Sequence, residues 1–347
     1  MATYFFSPAT DAERESPRFW DDTDGASGEL WYITRGKVSQ EPWNRKIRKN
    51  FRKGVAGVLF FTKMQANGND FVVIENRDGR FATEILSAMA LDVCTHKFSL
   101  GADGLLVLDP PREPATDFFM RIFNADGSEG EMCGNGARCL ASFAQHHGFA
   151  GSHMVFGTLS GPVEATVNAS SVRLHLGVLS LEHAEWNVPY TLQQQHFSYC
   201  FLTAGVPHCV ISLADLEDFS SQNFVTFGRA LRYDLVRFPQ GTNVNFMEIL
   251  DDHTLRIRTY ERGVEDMTHS CGTGSVASAL VGVRQFGLRS PVEVQTPGGI
   301  NLVEVTPEPT KDTYRIHLQG EAHFVARGTL LDDGLNALRH RRELALL

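Results

Sequence analysis

The chain carries one pattern twice. Residues 121–138 read RIFNADGSEGEMCGNGAR, and residues 256–275 read RIRTYERGVEDMTHSCGTGS. Each copy runs from a strand-like segment through a polar turn to Cys-Gly-x-Gly and on into a helix of small residues, predicted at 137–147 and 275–285. Thr158-Leu-Ser-Gly161 begins 25 residues after Cys133, and Thr296-Pro-Gly-Gly299 begins 25 residues after Cys271. Upstream, Phe61-Thr-Lys-Met64 is a weaker counterpart of Phe201-Leu-Thr-Ala204. Two related halves are therefore expected, each presenting one cysteine and facing the other across a cleft, where ligands tend to bind.

Short strands dominate the rest of the reading: 58–64, 71–74, 104–108, 117–123, 163–167 and 172–176, with a helix at 83–96. Many short strands and few helices predict a mixed α+β fold rather than a doubly wound parallel sheet. Residues 1–57 differ in texture. They hold three of the four tryptophans (Trp20, Trp31 and Trp43) and a basic run at 45–53, and read as an accessory N-terminal extension with a solvated cationic face.

Composition excludes several classes. A formal net charge of −9 argues against nucleic acid as a partner, because phosphate binding needs surplus Lys and Arg. There is no apolar run of membrane-spanning length. The N-terminus shows no secretory pattern, and six cysteines without paired spacing read as free thiols of a reducing, cytoplasmic setting. Cys94, Cys139, Cys200 and Cys209 sit among apolar neighbours and are expected in the core. The 13 histidines show no metal-ligand spacing.

Cys-Gly-x-Gly at a helix start is a chemical motif. The first turn of a helix has unpaired N–H groups and the positive end of the helix dipole, a setting that favours thiolate. The glycines let a ligand approach the backbone, and the N–H groups of Gly134, Asn135, Gly272 and Thr273 can hold a carboxylate. Two such units facing each other supply a base and an acid on opposite faces of one carbon. They also stabilise the charge that develops on the adjoining carboxylate.

At these residues the sequence resembles the diaminopimelate epimerase family. The resemblance runs from about Phe60 to about Ala326. It rests on Gly68-Asn-Asp-Phe71, Phe123-Asn-Ala-Asp-Gly-Ser-Glu129, Met132-Cys-Gly-Asn-Gly-Ala-Arg138, Pro207-His208, Gly241-Thr-Asn-Val-Asn-Phe246, Tyr260-Glu-Arg-Gly263, Ser270-Cys-Gly-Thr-Gly274 and Pro297-Gly-Gly299, in family order. It implies two pseudo-symmetric domains, each an antiparallel β-sheet rolled around a central α-helix: 58–179, completed by 321–335, and 180–320, with 336–347 a C-terminal tail. It further implies an isomerase without pyridoxal phosphate, other cofactor or metal, acting on diaminopimelate as a homodimer.

Carried over residue by residue, the resemblance makes Cys133 and Cys271 the catalytic pair. Asn69, Asn124, Gly134, Asn135, Asn243, Glu261, Arg262, Gly272 and Thr273 become substrate-binding, and His208 and Glu261 tune the thiols. Arg262 suits a distal carboxylate through a bidentate pair. Three departures stand out. Val206 replaces the Asn that many members carry, and Gly104 the Gln of some; both losses remove a hydrogen bond and relax substrate choice. His269-Ser270 before Cys271 is also unusual. Two alternatives remain at this stage: a racemase of another amino acid, such as histidine, on the same scaffold, and a non-catalytic binding protein that kept the cleft.

Overall fold

A computed structural model describes residues 59–192 and 194–331, with the backbone of three short strands before them. Trp43, the basic run at 45–53 and the tail at 336–347 lie outside the described residues. The chain divides into two compact units, Met1–Val58 and Leu59–Leu347. In the first, strands Arg18–Trp20, Trp31–Thr34 and Lys37–Gln40 form an antiparallel meander with Trp20 opposite Trp31.

In the second unit the repeat becomes two matching sheets. One runs, side by side, through His323–Leu330, Leu59–Ala66, Asn69–Glu75, Gly104–Asp109, Phe118–Asn124, His153–Thr158, Gly161–Asn168 and Ser171–Ser180. The other runs through Glu185–Leu192, Gln195–Ala204, Val206–Ser212, Asn243–Ile249, Thr254–Glu261, Val292–Thr296, Gly299–Pro307 and Thr313–Glu321. Strand by strand the pairing sense agrees. Each sheet is antiparallel except at two steps, third and fifth, which are parallel. The sheets join where Ser171–Ser180 pairs antiparallel with Thr313–Glu321, and there His175 stacks on His317 with ring centroids 4.8 Å apart.

The detailed turns repeat as well. Thr158 Oγ1 donates to the carbonyl of Gly161, and Thr296 Oγ1 donates to that of Gly299, both at 2.7 Å. Strands Leu59–Ala66 and Gln195–Ala204 are counterparts. Each ends in alanine before a positive-φ turn, at Asn67-Gly68 in one half and Gly205 in the other.

Each sheet curls around one helix and carries a second outside. The helices are α1 (Thr83–Val93), α2 (Gly134–His146), α3 (Ser221–Arg232) and α4 (Gly272–Phe286). A helix enclosed by a sheet must be apolar all round and slim. Ala137, Ala141 and Ala144 in α2 and Ala277, Ala279 and Gly282 in α4 meet that demand, and all are buried. Gly104–Asp109 is buried at every position because both faces are covered. Leu106 and Leu108 meet the α2 core, while Leu105 and Val107 meet Leu86, Met89 and Val93 of α1. Gly161–Asn168 has one covered face and alternates between buried and exposed positions, as period-2 geometry requires. In the second half α3 seals an aromatic layer of Phe219, Phe224, Phe227 and Phe246. Helix α3 is an addition to the elements expected from the sequence, although Phe224, Phe227 and Leu231 have helical spacing and the Ser220 hydroxyl caps its start by accepting from Asn223 N.

The halves touch closely at Gly298. A Cβ there would lie 1.8 Å from the carbonyl oxygen of Asn67 in the other half, so the backbone cannot stay in place with a side chain. We expect Gly298→Ala to cost about 1–3 kcal/mol through overpacking. Urea unfolding checks this: the midpoint should fall with the m-value unchanged, and a wild-type midpoint would disprove the contact.

Candidate active site

Cys133 and Cys271 are the N-caps of α2 and α4. Both keep extended backbone angles (φ −138°, ψ 123° and φ −115°, ψ 114°), so their sulfurs face the unpaired N–H groups of the first turn. The Cys133 sulfur accepts from Gly136 N at 3.5 Å, and the Cys271 sulfur lies 3.5 Å from Thr273 Oγ1. The second glycine of each motif is dictated by space. A Cβ on Gly274 would sit 2.4 Å from Asn245 Oδ1, and one on Gly136 would sit 3.0 Å from Leu106.

The two helix starts converge. A Cβ built on Gly272 would reach within 3.9 Å of Gly134 Cα, with Leu318 packed against both glycines. Asn135 Nδ2 donates to the carbonyl of Ser270, the residue before Cys271, at 3.3 Å. Two positive helix ends thus meet where the halves touch, with Cys133, Gly134, Gly272 and Thr273 half-buried.

Burial is the largest influence on both thiols. It raises both Cys133 and Cys271 above the ordinary thiol range, and the negative field of Glu261 raises both further. Backbone N–H groups of Gly136 and Asn135 pull Cys133 down, and the Thr273 hydroxyl and Gly274 N pull Cys271 down, but in each case burial outweighs them. The helix-start donors thus act in the direction the motif leads one to expect, and burial is the larger effect. Glu261 is raised too, by burial first, with Asp103 adding to it.

The other sequence-derived positions fall around this space. Asn69 Oδ1 accepts from the Cys133 thiol at 3.7 Å, and Asn69 Nδ2 donates to Asp103 at 2.5 Å. Asn243 is buried and accepts the backbone N–H of Arg262 at 2.7 Å, so it sets the course of the chain at Arg262. The Arg262 guanidinium donates to the Gln240 carbonyl at 2.7 Å and forms no ion pair among the described residues. Asn124 lies opposite Gly104 across the ladder, but its amide donates to Ser128 Oγ at 3.0 Å rather than to either thiol. At Gly104 the chain leaves no room for a side chain, since a Cβ would stand 2.9 Å from the Phe123 carbonyl. Cys94, Cys139, Cys200 and Cys209 are core residues, all at most 5% exposed.

His208 is fully buried, opposite Asn243 in the ladder. Thr259 donates to Asn245 Oδ1, which turns Asn245 Nδ2 toward His208 Nδ1 at 3.0 Å. The ring proton is then on Nε2, which has no hydrogen-bond partner. Burial, reinforced by the Arg262 charge, lowers His208 to about 3, so the ring is neutral.

Residues to which the motifs gave no role also appear, joined to Asn135. Asn67, Asn135 and Arg138 of one half meet Ser270, Ser275 and Asn301 of the other in a buried polar network. The sequence signal for Arg138 is its place in an otherwise small and apolar helix.

The neutral His208 ties stability to pH. Unfolded, the ring titrates near its ordinary 6.5; folded, it resists the proton until about 3. Its contribution is therefore complete above about 6.5 and is lost as pH falls toward 3, at up to about 1.4 kcal/mol per pH unit. Denaturant titrations across that range should show this slope, reduced by one proton in His208→Gln. An unchanged slope in the variant would rule out the neutral buried ring.

The diaminopimelate epimerase family model matches residues 61–181 and 200–325. The diaminopimelate epimerase of Aquifex aeolicus is 36% identical over 284 residues, covering 79% of this chain and 99% of its own length. That of Archaeoglobus fulgidus is 37% identical over 293 residues, covering 81% and 99%. Among solved structures, a hydroxyproline epimerase from Agrobacterium vitis shares the fold with a TM-score of 0.59 at 14% identity, over 80% of this chain and 93% of that one. A phenazine biosynthesis protein of the PhzF family from Bacillus anthracis does so with a TM-score of 0.61 at 13% identity, over 79% and 99%. The repeat, the paired helix starts and this likeness along both halves make the chain a member of the diaminopimelate epimerase family.

Proposed function

We propose that this chain is a diaminopimelate epimerase, an isomerase that interconverts LL- and meso-2,6-diaminopimelate by proton transfer between Cys133 and Cys271 without a cofactor. The observation that carries the reading is the convergence of two helix starts, each preceded by a cysteine at its N-cap position. The substrate α-carboxylate takes the N–H groups of Gly134, Asn135, Gly272 and Thr273. One sulfur, as thiolate, removes the α-hydrogen from one face. The other, as thiol, returns a proton to the opposite face, and the first cysteine ends as thiol and the second as thiolate. The reverse reaction starts from that exchanged state, so no other group needs to gain or lose a proton.

The raised thiols suit this chemistry. A thiolate of high pKa is a stronger base toward a weakly acidic carbon, and the helix ends stabilise the charge that passes onto the carboxylate in a water-poor space. Glu261 acts on both thiols through its negative field, and His208, neutral and with Nε2 unpartnered, belongs to the same thiol-tuning set by the family resemblance. Arg262, free of a carboxylate partner among the described residues, takes the distal carboxylate. Glu261, Asn69, Asn124 and Asn243 hold the remaining polar groups. An unspent cation at the distal end favours a dicarboxylate over histidine. Residues 58–179 with 321–335 and residues 180–320 act as the two jaws, and residues 1–57 are accessory. Homodimerisation, a cytoplasmic setting, and service to lysine and peptidoglycan precursor synthesis belong to the same reading and rest on the family alone.

The reduced protein is to be incubated with LL-diaminopimelate in deuterated water, with no added cofactor. Meso product should form with solvent deuterium at one α-carbon. Cys133→Ala and Cys271→Ala should each lower the rate by about a thousandfold or more, and Arg262→Ala should raise KM by about 10–100-fold, the worth of a charged hydrogen bond. Exchange on another amino acid but not on this one would move the substrate; no exchange on any would sink the reading.

A further inference from the structure

The two halves share a parallel crossing, but its side chains differ. In the first half Phe71 pairs with Gly104, and in the second His208 pairs with Asn243. Counted back from those pairs, Asn69 and Asp103 stand where the second half has Val206 and Thr242. Only the first half sets an amide against a carboxylate here. Asn69 Nδ2 donates to Asp103 Oδ2 at 2.5 Å, and the backbone N–H of Asp70 donates to the same oxygen at 3.1 Å. The chain places the carboxylate in return, since Asp103 N donates to the Asp70 carbonyl at 3.0 Å and to Asp70 Oδ1 at 3.1 Å. Asp70 Oδ2 is taken by the Lys63 ammonium at 2.5 Å, which leaves Asp103 as the carboxylate that reaches Asn69.

We infer that Asp103 is a positioning residue: it fixes the amide of Asn69 so that Oδ1, and not Nδ2, faces Cys133. The inference rests on the two-cysteine reading above. An amide has a donor end and an acceptor end, and a carboxylate accepts only. The donor end of Asn69 is therefore committed to Asp103, and its Oδ1 accepts from the Cys133 thiol at 3.7 Å. Cys271 meets the Thr273 hydroxyl, which can either give or take a proton; Asn69, so held, can only take one. A hydrogen bond to the protonated form of an acid favours that form, so the Asp103–Asn69 pair helps to keep the proton on Cys133. Asn69 also offers the site an acceptor alone, suited to an ammonium or a thiol and not to a carboxylate. Without Asp103 the amide is free to turn, and Nδ2 can then donate to a Cys133 thiolate. The charged groups that act on Cys133 itself, Glu261 and Arg138, stay in place when residue 103 is changed. Asp103 does face Glu261, so its charge has to be separated from its hydrogen bond.

The test reads the thiols directly. The full-length reduced protein is alkylated with iodoacetamide from pH 6 to 11, and the rate at each cysteine is followed by peptide mass spectrometry. In Asp103→Ala the midpoint of the Cys133 profile should fall by about half to one pH unit, the worth of one hydrogen bond, with Cys271 unmoved. Asp103→Asn should keep the wild-type midpoint. The backbone N–H of Asp70 draws the oxygen of the new amide to the place of Oδ2, so Asn69 is held as before with the charge gone. In an Asn69→Ala background, Asp103→Ala should have no further effect, because the one residue acts through the other. If Asp103→Ala does not fold, Asp103→Ser, whose hydroxyl ends one bond short of the carboxylate oxygens, takes its place. A Cys133 midpoint unmoved in the Ala or Ser variant would overturn the inference. So would an equal shift in Asp103→Asn or at Cys271, the mark of lost charge acting through Glu261, or a shift that persists without Asn69. Because alkylation needs no turnover, the result is independent of which amino acid the protein epimerises, and deuterium exchange answers that question separately.

Discussion

Everything in this fold depends on enclosing a helix and leaving its first turn open. Once a sheet surrounds α2 or α4, the half-buried N–H groups at the helix start have limited access to bulk water. Acceptors inside the protein, or in whatever enters it, become the favoured partners. At α2 the Cys133 sulfur satisfies one of them, and the rest are left for a ligand where the two helix starts meet. The slim interior of each helix, the double-covered central strands and the glycines after each cysteine all serve that enclosure.

The same enclosure sets the electrostatics. Burial outweighs the N–H donors at both thiols, yet every charge that does form there is felt strongly, because little solvent is present to screen it. Donors that burial outweighs at a thiol can still stabilise charge that appears briefly on a bound carboxylate. Raised thiols and strong stabilisation of a transient charge are thus two effects of one weakly screened site.

Much of this is legible in the residues. Cysteine, two glycines and a run of small residues can only be a cap and a slim helix, and the turn at Thr158–Gly161 announces its twin at Thr296–Gly299. What escapes is of two kinds. Helix α3 lies outside the sheet, and its signals, the Ser220 cap and the spacing of Phe224, Phe227 and Leu231, are those of any amphipathic helix and carry no chemistry that singles it out. The network of Asn67, Arg138 and Asn301 is assembled from positions far apart in the chain, and each alone reads as a turn former, a helix residue or a strand residue. The weaker upstream match joins the correct strands but two residues out of step, since the alanines that end them, Ala66 and Ala204, are the true counterparts.

The strand His323–Leu330 returns from the second half to lie along Leu59–Ala66. During synthesis, the first half is made early but stays short of its last strand until the ribosome has delivered almost the whole described chain. The ladder that unites the sheets likewise needs Thr313–Glu321. Assembly therefore cannot proceed one half at a time, and a truncated product would expose the unpaired rim of Leu59–Ala66 as a template for aggregation. A fold that looks modular when drawn as two repeats is, for the nascent chain, a single commitment made at its end.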